Sequence, residues 1–460
     1  MVLGLTGIFL SLAVLLVLAY RGHSVVIVAP IAALLAALLS GAPLLATYTQ
    51  IFMPALGGFI ISFFPLFLSG AIFGRLMTSS GLAADLARGI SALFGARRAI
   101  LSTVLATALL TYGGVSAWVV AFTIVPIATP LFRHAGIPKR LMPAALALGT
   151  ITFAIAALPG SPQVHNVIPT RYFGTTGYAA PVVGLIGSAA MFALGMLWLN
   201  RRARALIRAG EPFGGEDESD TTVSSTGNVA LRGLRGLLPI AVVIIMNFLF
   251  VYVLSEAMDF SYLATEKYGS TTVDAVRGVW SVVVALATGI LLIMAMRFRQ
   301  ASELVADLSE GAKNAILPAL TTASEVGYGA VVASLAVFAV LRDAIFDFAH
   351  NAILVGTSSV AVISGITGSS SGGLSITLEA FGADLADLAA QQHIDPELLH
   401  RLMAMASVSF DSLPHNGAVL TMLLVCGMTH RQSYKDIAVV SVAIPIVVLS
   451  AILGVVLLAS

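Results

Sequence analysis

Residues 158–166 read Leu158-Pro159-Gly160-Ser161-Pro162-Gln163-Val164-His165-Asn166, a polar stretch with two prolines and a glycine inside an otherwise apolar run of spanning length. Proline removes an intrahelical hydrogen bond and clashes with the preceding turn, so the run is expected to break here as a helix. Irregular backbone at membrane depth is tolerated only where protein or a wet cavity satisfies the freed groups, so the break is expected to line a cavity. About 250 residues later the chain repeats the device with Ser409-Phe410-Asp411-Ser412-Leu413-Pro414-His415-Asn416-Gly417, again with a His-Asn pair. Interruptions at corresponding places in two halves point to a transporter binding site.

The composition sets the class. With 58% hydrophobic and 10% charged residues among 460, and a mean hydropathy of +0.97, the chain reads as an all-α polytopic membrane protein in contact with the lipid bilayer. A net charge of +1 provides no basic surface for nucleic acid and argues against a strongly acidic partner. The lone Cys426 excludes an internal disulfide and supplies no metal cluster. Leu3 to Tyr20 lacks a basic leader region and a small-residue cleavage pattern, so it is expected to be a retained span. There is no His-Glu-x-x-His pair, no phosphate-binding Gly-Lys-Ser/Thr loop and no strand-to-helix nucleophile elbow, so neither an enzyme nor a cofactor is expected.

Charge bias orders the spans. Apolar runs at about 2–20, 24–40 and 51–77 precede an interfacial segment, 79–98, carrying Asp85, Arg88, Arg97 and Arg98. Residues 99–132 are interrupted at Thr111-Tyr112-Gly113-Gly114, and both flanks are basic: Arg97 and Arg98 before, Arg133, Lys139 and Arg140 after. The positive-inside rule then favours a re-entrant hairpin over two full spans joined by a tight turn. A broken helix at 141–170 and a span at 179–199, ending in Arg201, Arg202, Arg204 and Arg208, complete a first repeat, residues 1–209. Residues 210–233, with the acidic run Glu216 to Asp220, read as a cytoplasmic linker.

The second repeat, 234–460, has spans at about 234–255 and 276–296 joined by an external loop with Glu256, Asp259, Glu266 and Asp274. Arg297 and Arg299 return the chain to the cytoplasm before a span at about 314–341. A hairpin at 352–381, broken at Thr367 to Gly373 and flanked by Asp343, Asp347, Glu379, Asp384 and Asp387, enters from outside. A broken helix at 401–428 and a last span at 436–458 follow. Each half thus holds about five spanning helices, one re-entrant hairpin and one broken helix, in opposite orientations: an inverted-topology repeat.

The breaks and tips supply the candidate binding residues. Half-helix N-termini expose unpaired N–H groups suited to a carboxylate. Around them stand Tyr112, Gly113, Gly114 and Ser116 at the first tip, Ser161, Gln163, His165 and Asn166 at the first break, Gly368, Ser369, Ser370 and Ser371 at the second tip, and Ser412, His415 and Asn416 at the second break. Small residues that merely allow close helix packing, and Asn or Gln that merely cap helices, are the competing readings. Glu325 and Asp411 are acids inside apolar runs, where ionisable groups are expensive and by default functional, so they are the ion-coupling candidates. For Glu325 the competing reading is an ion pair with Arg75 or Arg342.

Tyr112-Gly113-Gly114, Leu158-Pro159-Gly160-Ser161-Pro162-Gln163, Tyr172-Phe173-Gly174-Thr175-Thr176, Ala323-Ser324-Glu325-Val326-Gly327-Tyr328-Gly329 and the Gly-Ser-Ser-Ser-Gly hairpin together resemble the gluconate permease family of the wider ion transporter superfamily. The likeness spans nearly the whole chain. It implies two inverted repeats with re-entrant hairpins and discontinuous helices. It also implies secondary uptake of a small organic anion, commonly by proton symport, across the cell inner (cytoplasmic) membrane. Gluconate members carry a Tyr-Glu-Val-Gly tip and a Pro-Pro-His-Pro-Gly-Pro break where this chain has Tyr112-Gly113-Gly114-Val115 and Pro159-Gly160-Ser161-Pro162, which moves the expectation towards a branch handling short hydroxy acids such as 3-hydroxybutyrate. Sodium as coupling ion, a passive anion channel and homo-oligomerisation stay open at this point.

Overall fold

With no water in the hydrocarbon core, backbone polar groups must be satisfied within the segment, which selects helices. The computed structural model describes residues 2–21, 23–95, 98–214, 229–340, 343, 350–414 and 416–459, and every regular element among them is helical. His415, Arg97, Arg342, Asp347 and the acidic run Glu216 to Asp220 lie outside the described residues. The helices are α1 (Val2–Tyr20), α2 (Val25–Leu39), α3 (Leu44–Ser79), α4 (Leu82–Phe94), α5 (Ala99–Tyr112), α6 (Ala117–His134), α7 (Lys139–Ala157) and α8 (Pro181–Arg208). Then come α9 (Val229–Ala257), α10 (Val273–Met296), α11 (Ala301–Ser334), α12 (Ala352–Thr367), α13 (Ser370–Gln391), α14 (Pro396–Ser407), α15 (Gly417–Val425) and α16 (His430–Leu458). Eight helices among the described residues are long and apolar enough to cross a bilayer, so the protein is an all-α polytopic membrane protein.

Small residues let these helices approach closely, as packing in lipid favours. Along the α3–α11 seam Gly311 lies against the Ile72 backbone and Gly327 against the Phe52 ring, and Arg75 Nε donates to Asp307 at 2.9 Å. The amphipathic α4 crosses α9 with Gly89 against the Gly233 backbone, and Asp85 pairs with both Arg88 (2.8 Å) and Arg232 (3.0 Å). Trp198 and Arg202 of α8 reach Asp436 of α16 at 3.1 and 3.2 Å.

Burial identifies the centre. In α7, 94% of the spanning window is buried, against 22–39% for α3, α6, α8, α9, α10 and α16. The helix on the N-terminal side of the first break is therefore enclosed by protein and not by lipid. Its last turn, Phe153–Ala157, widens into a π-helix before the chain breaks at Leu158.

Several predicted boundaries shift: the span expected at 314–341 is Ala301–Ser334, and the one expected at 51–77 is Leu44–Ser79. Thr111 and Tyr112 belong to helix, leaving residues 113–116 as the first tip. At the second tip only Gly368 and Ser369 are non-helical, because the Ser369 hydroxyl caps α13 by accepting from Gly372 N at 3.0 Å, which makes Ser370 and Ser371 its first turn. The second arm of that hairpin runs on through Asp384 and Asp387 to Gln391. The second broken helix starts at Pro396, capped by Asp395, and not at residue 401.

Candidate functional site

Each break is tied to the hairpin tip of its own half by a side-chain amide. In the first, Gln163 Nε2 donates to the Thr111 carbonyl at 2.7 Å and more weakly to Val115 at 3.3 Å, while the Tyr112 hydroxyl donates to the Pro159 carbonyl at 2.8 Å. In the second, Asn416 Nδ2 donates to the Gly368 carbonyl at 2.9 Å while its Oδ1 caps α15 by accepting from Val419 N at 2.9 Å. Carbonyls freed at the C-terminal ends of half-helices need such partners. Gln163, Asn416 and Tyr112 are therefore engaged in holding tip to break.

The halves then cross. His165 Nε2 of the first break lies 2.7 Å from Ser370 Oγ of the second tip, both buried. The Asp411 carboxylate of the second break lies close to Ser370 and accepts from Ser412 Oγ at 2.9 Å. The Ser370 hydroxyl thus has a histidine of the first half at hydrogen-bond distance and a carboxylate of the second half nearby. Polar capacity remains: His165 Nδ1 and Ser161 Oγ are buried with no hydrogen-bond partner among the described residues.

Glu325 of α11 approaches the same tip. Its carboxylate rests on Gly372, where any Cβ would collide with it, and Oε2 has no partner among the described residues. Arg75 is committed to Asp307, so the competing ion pair between Glu325 and Arg75 does not form. The first turn of α13 presents the positive end of a helix dipole to this carboxylate. The first tip is close to the second break: Gly417 lies against the indole of Trp118, two residues beyond Ser116. Ser116 itself is exposed, and its side chain makes no cap to α6.

Sequence reasoning missed Arg401, one of the largest fully buried side chains. Its Nε donates to the Ala179 carbonyl (3.0 Å), Nη2 to Gly177 (2.9 Å), and Nη1 to Ala156 (2.9 Å) and to Asn166 Oδ1. Asn166 Nδ2 in turn donates to the Leu158 and Ser161 carbonyls at 3.1 and 3.3 Å. A cation of the second half thereby fixes the backbone of the first break, and Asn166 positions and does not point free into a cavity. Beside it, His400 Nδ1 lies 2.6 Å from the Thr175 hydroxyl. An arginine one residue before the apolar run Leu402–Ala406 was the available signal.

The chain is 41% identical over 443 residues, 94% of its own length and 94% of the relative's, to the "Uncharacterized transporter YxjC" of Bacillus subtilis (strain 168). The chain belongs to that transporter family. No family model matches the chain. In this membrane transporter the clustered His165, Ser370, Asp411 and Glu325 stand where the two hairpins and two breaks converge, while Gln163, Asn166, Asn416 and Arg401 brace the backbone around them.

Proposed function

We propose that this transporter is a secondary active permease that takes up a small organic anion, a short hydroxy acid or sugar acid, across the inner membrane by proton symport with alternating access between two inverted repeats. The observation carrying this reading is the 2.7 Å contact between His165 and Ser370, which joins the broken helix of one half to the hairpin of the other, with the Asp411 carboxylate of the second break close by. In inverted-repeat transporters the site lies at the repeat interface, where half-helix ends and hydroxyls meet the substrate. Here the start of α13 and the unpartnered hydroxyl of Ser161 supply donors suited to a carboxylate, and the unpartnered Nδ1 of His165 is a further polar contact for an adjacent hydroxyl. Asp411 and Glu325, buried on either side of Ser370 and Gly372, are the groups that would carry a proton. Neutralising such a group as substrate binds avoids leaving an uncompensated charge in a low-dielectric site.

The test is counterflow of a panel of small carboxylates in proteoliposomes, with an imposed proton gradient, with sodium, and with neither. Saturable accumulation that collapses with the proton gradient supports the proposal. Dependence on sodium alone would replace the coupling ion, and unsaturable flux that never exceeds equilibrium would replace the permease with a channel.

A further inference from the structure

Besides the central cluster, two buried polar atoms are left without partners on side chains that close on a single residue of the first break. Asn247 is the only polar residue from Leu237 to Val251 of α9, a helix of the second half, and it is 1% exposed. Its Nδ2 donates to the Gly160 carbonyl at 2.9 Å. That carbonyl can only accept, so the amide nitrogen must face it and Oδ1 is turned away from it. Oδ1 is buried with no hydrogen-bond partner among the described residues. Tyr178 also lies against Gly160, its hydroxyl 2.9 Å from where a Cβ would stand, and this hydroxyl too is buried without a partner among the described residues. We propose that Asn247 and Tyr178 form a hydroxyl-reading subsite of the transport site, which takes a neutral hydroxyl on the carbon chain of the transported anion. This rests on the reading of the protein as a permease for a hydroxylated carboxylate.

Asparagine commonly joins membrane helices, and the bond to Gly160 is such a contact. It accounts for the amide nitrogen and leaves the acceptor unexplained. Buried polar atoms are nearly always hydrogen-bonded, so two orphans around one glycine call for a group that satisfies both. A hydroxyl does so: its proton goes to Asn247 Oδ1, which can only accept, and its oxygen accepts the Tyr178 proton. A carboxylate does not, because Oδ1 would face a negative charge. An ordered water makes the same two bonds and is what a ligand hydroxyl displaces. Gly160 sits at φ +78°, and a Cβ there would meet the Tyr178 ring, so glycine both makes the turn and lets the hydroxyl close on the backbone. The break runs on into the substrate site: Ser161, next in the chain, has its own buried hydroxyl unpartnered among the described residues, and Asn166, beside His165, reaches back to the Leu158 and Ser161 carbonyls at 3.1 and 3.3 Å. The Tyr178 ring is held independently of its hydroxyl, edge-on to Phe248 at 5.9 Å and to Tyr252 at 5.5 Å. Removing the hydroxyl therefore leaves the ring in place.

The experiment is equilibrium binding to the purified full-length transporter in nanodiscs, by calorimetry, of two matched pairs: 3-hydroxybutyrate with butyrate, and glycerate with propionate. The readout is the ratio of affinities within a pair, which the folded fraction of a variant does not alter. The parent is expected to favour the hydroxylated member of at least one pair by about tenfold or more, since a site built to bond a hydroxyl rejects the analogue lacking it. Tyr178→Phe should lower that ratio about fivefold, the loss of one neutral hydrogen bond. Asn247→Leu should lower it at least as far, and should also lower the unfolding temperature, because it strands the Gly160 carbonyl. A parental ratio in both variants overturns the proposal and leaves a structural water between the two side chains. Should Asn247→Leu fail to fold, Tyr178→Phe decides alone. Equal binding within both pairs by the parent also overturns the subsite, while the reading of an anion permease stands. A parent that binds neither pair removes the short hydroxy acids as substrates, and the subsite with them.

Discussion

Ser370 Oγ of the second hairpin lies 2.7 Å from His165 Nε2 of the first break, so the two halves of the transporter meet in a hydrogen bond between two candidate binding residues. Neighbours in direct contact give interaction energies even without a ligand. The cycle of His165→Ala, Ser370→Ala and the double variant is therefore expected to be non-additive in thermal unfolding of the empty protein, by about 0.5 kcal/mol or more. A larger interaction term in substrate affinity than in unfolding would identify both residues as substrate contacts. Additive effects in both measurements would separate the halves.

Arg401 serves four acceptors, three backbone carbonyls and Asn166 Oδ1, so Arg401→Met strands them in a buried site. The expected loss is about 3 kcal/mol or more in stability, read as a lowered unfolding temperature in detergent. Arg401→Lys keeps the charge but not the planar fork, and should recover only part of it. Parental stability in Arg401→Met would deny Arg401 its bracing role.

Gly372 and Gly373 give distinguishable outcomes. A Cβ at Gly373 meets the Ser364 backbone, which cannot yield, so Gly373→Ala should cost about 1–3 kcal/mol and reduce the folded yield. A Cβ at Gly372 meets the Glu325 carboxylate, a side chain that can move. Gly372→Ala should therefore fold but transport poorly, and adding Glu325→Ala should relieve the overlap in an unfolding assay while leaving transport impaired.

If Glu325 or Asp411 carries the coupling proton, Glu325→Gln or Asp411→Asn should abolish accumulation driven by a pH gradient while sparing exchange of bound substrate. Proteoliposomes loaded for counterflow and for gradient-driven uptake measure the two separately. Should both variants accumulate substrate with the parental pH dependence, the carboxylates are not the carriers.

The orientation can be read from α9, whose 29 residues reach about 43 Å, enough to cross the bilayer. Its first turns carry Arg232 and Arg235, and its far end leads to Glu256 and Asp259. Single cysteines at Leu231 and Ser261, with the buried Cys426 replaced by Ala, should be labelled from the cytoplasmic and the external side respectively. Labelling of both from one side would remove the inverted topology.

The apolar helices and the two breaks were legible in the chain because their causes are local, although Val25–Leu39 is shorter than a span and Ala117–His134, expected as a hairpin arm, is long and apolar enough to cross. Apolar length makes a spanning helix, Pro159 and Pro162 interrupt one, and glycines with hydroxyl residues turn the tips. Even so, local pattern misplaced the start of the second broken helix by five residues. Asp395-Pro396, a cap followed by a proline suited to the first helical position, marks that start. Starting the helix at 401 left Arg401 at its edge and hid a cation that lies within it.

Tertiary structure alone decided the partners. Sequence offered Gln163, Asn166, Asn416 and Tyr112 as substrate ligands, and the fold uses their polar atoms to satisfy carbonyls freed at the breaks. It also decided that Ser370, within a run of three serines, is the one that meets His165. Such pairings join residues more than 200 positions apart, as in His165–Ser370 and Asn166–Arg401. The period and composition of a sequence fix which groups are buried, but the packing of one half against the other selects which of them meet.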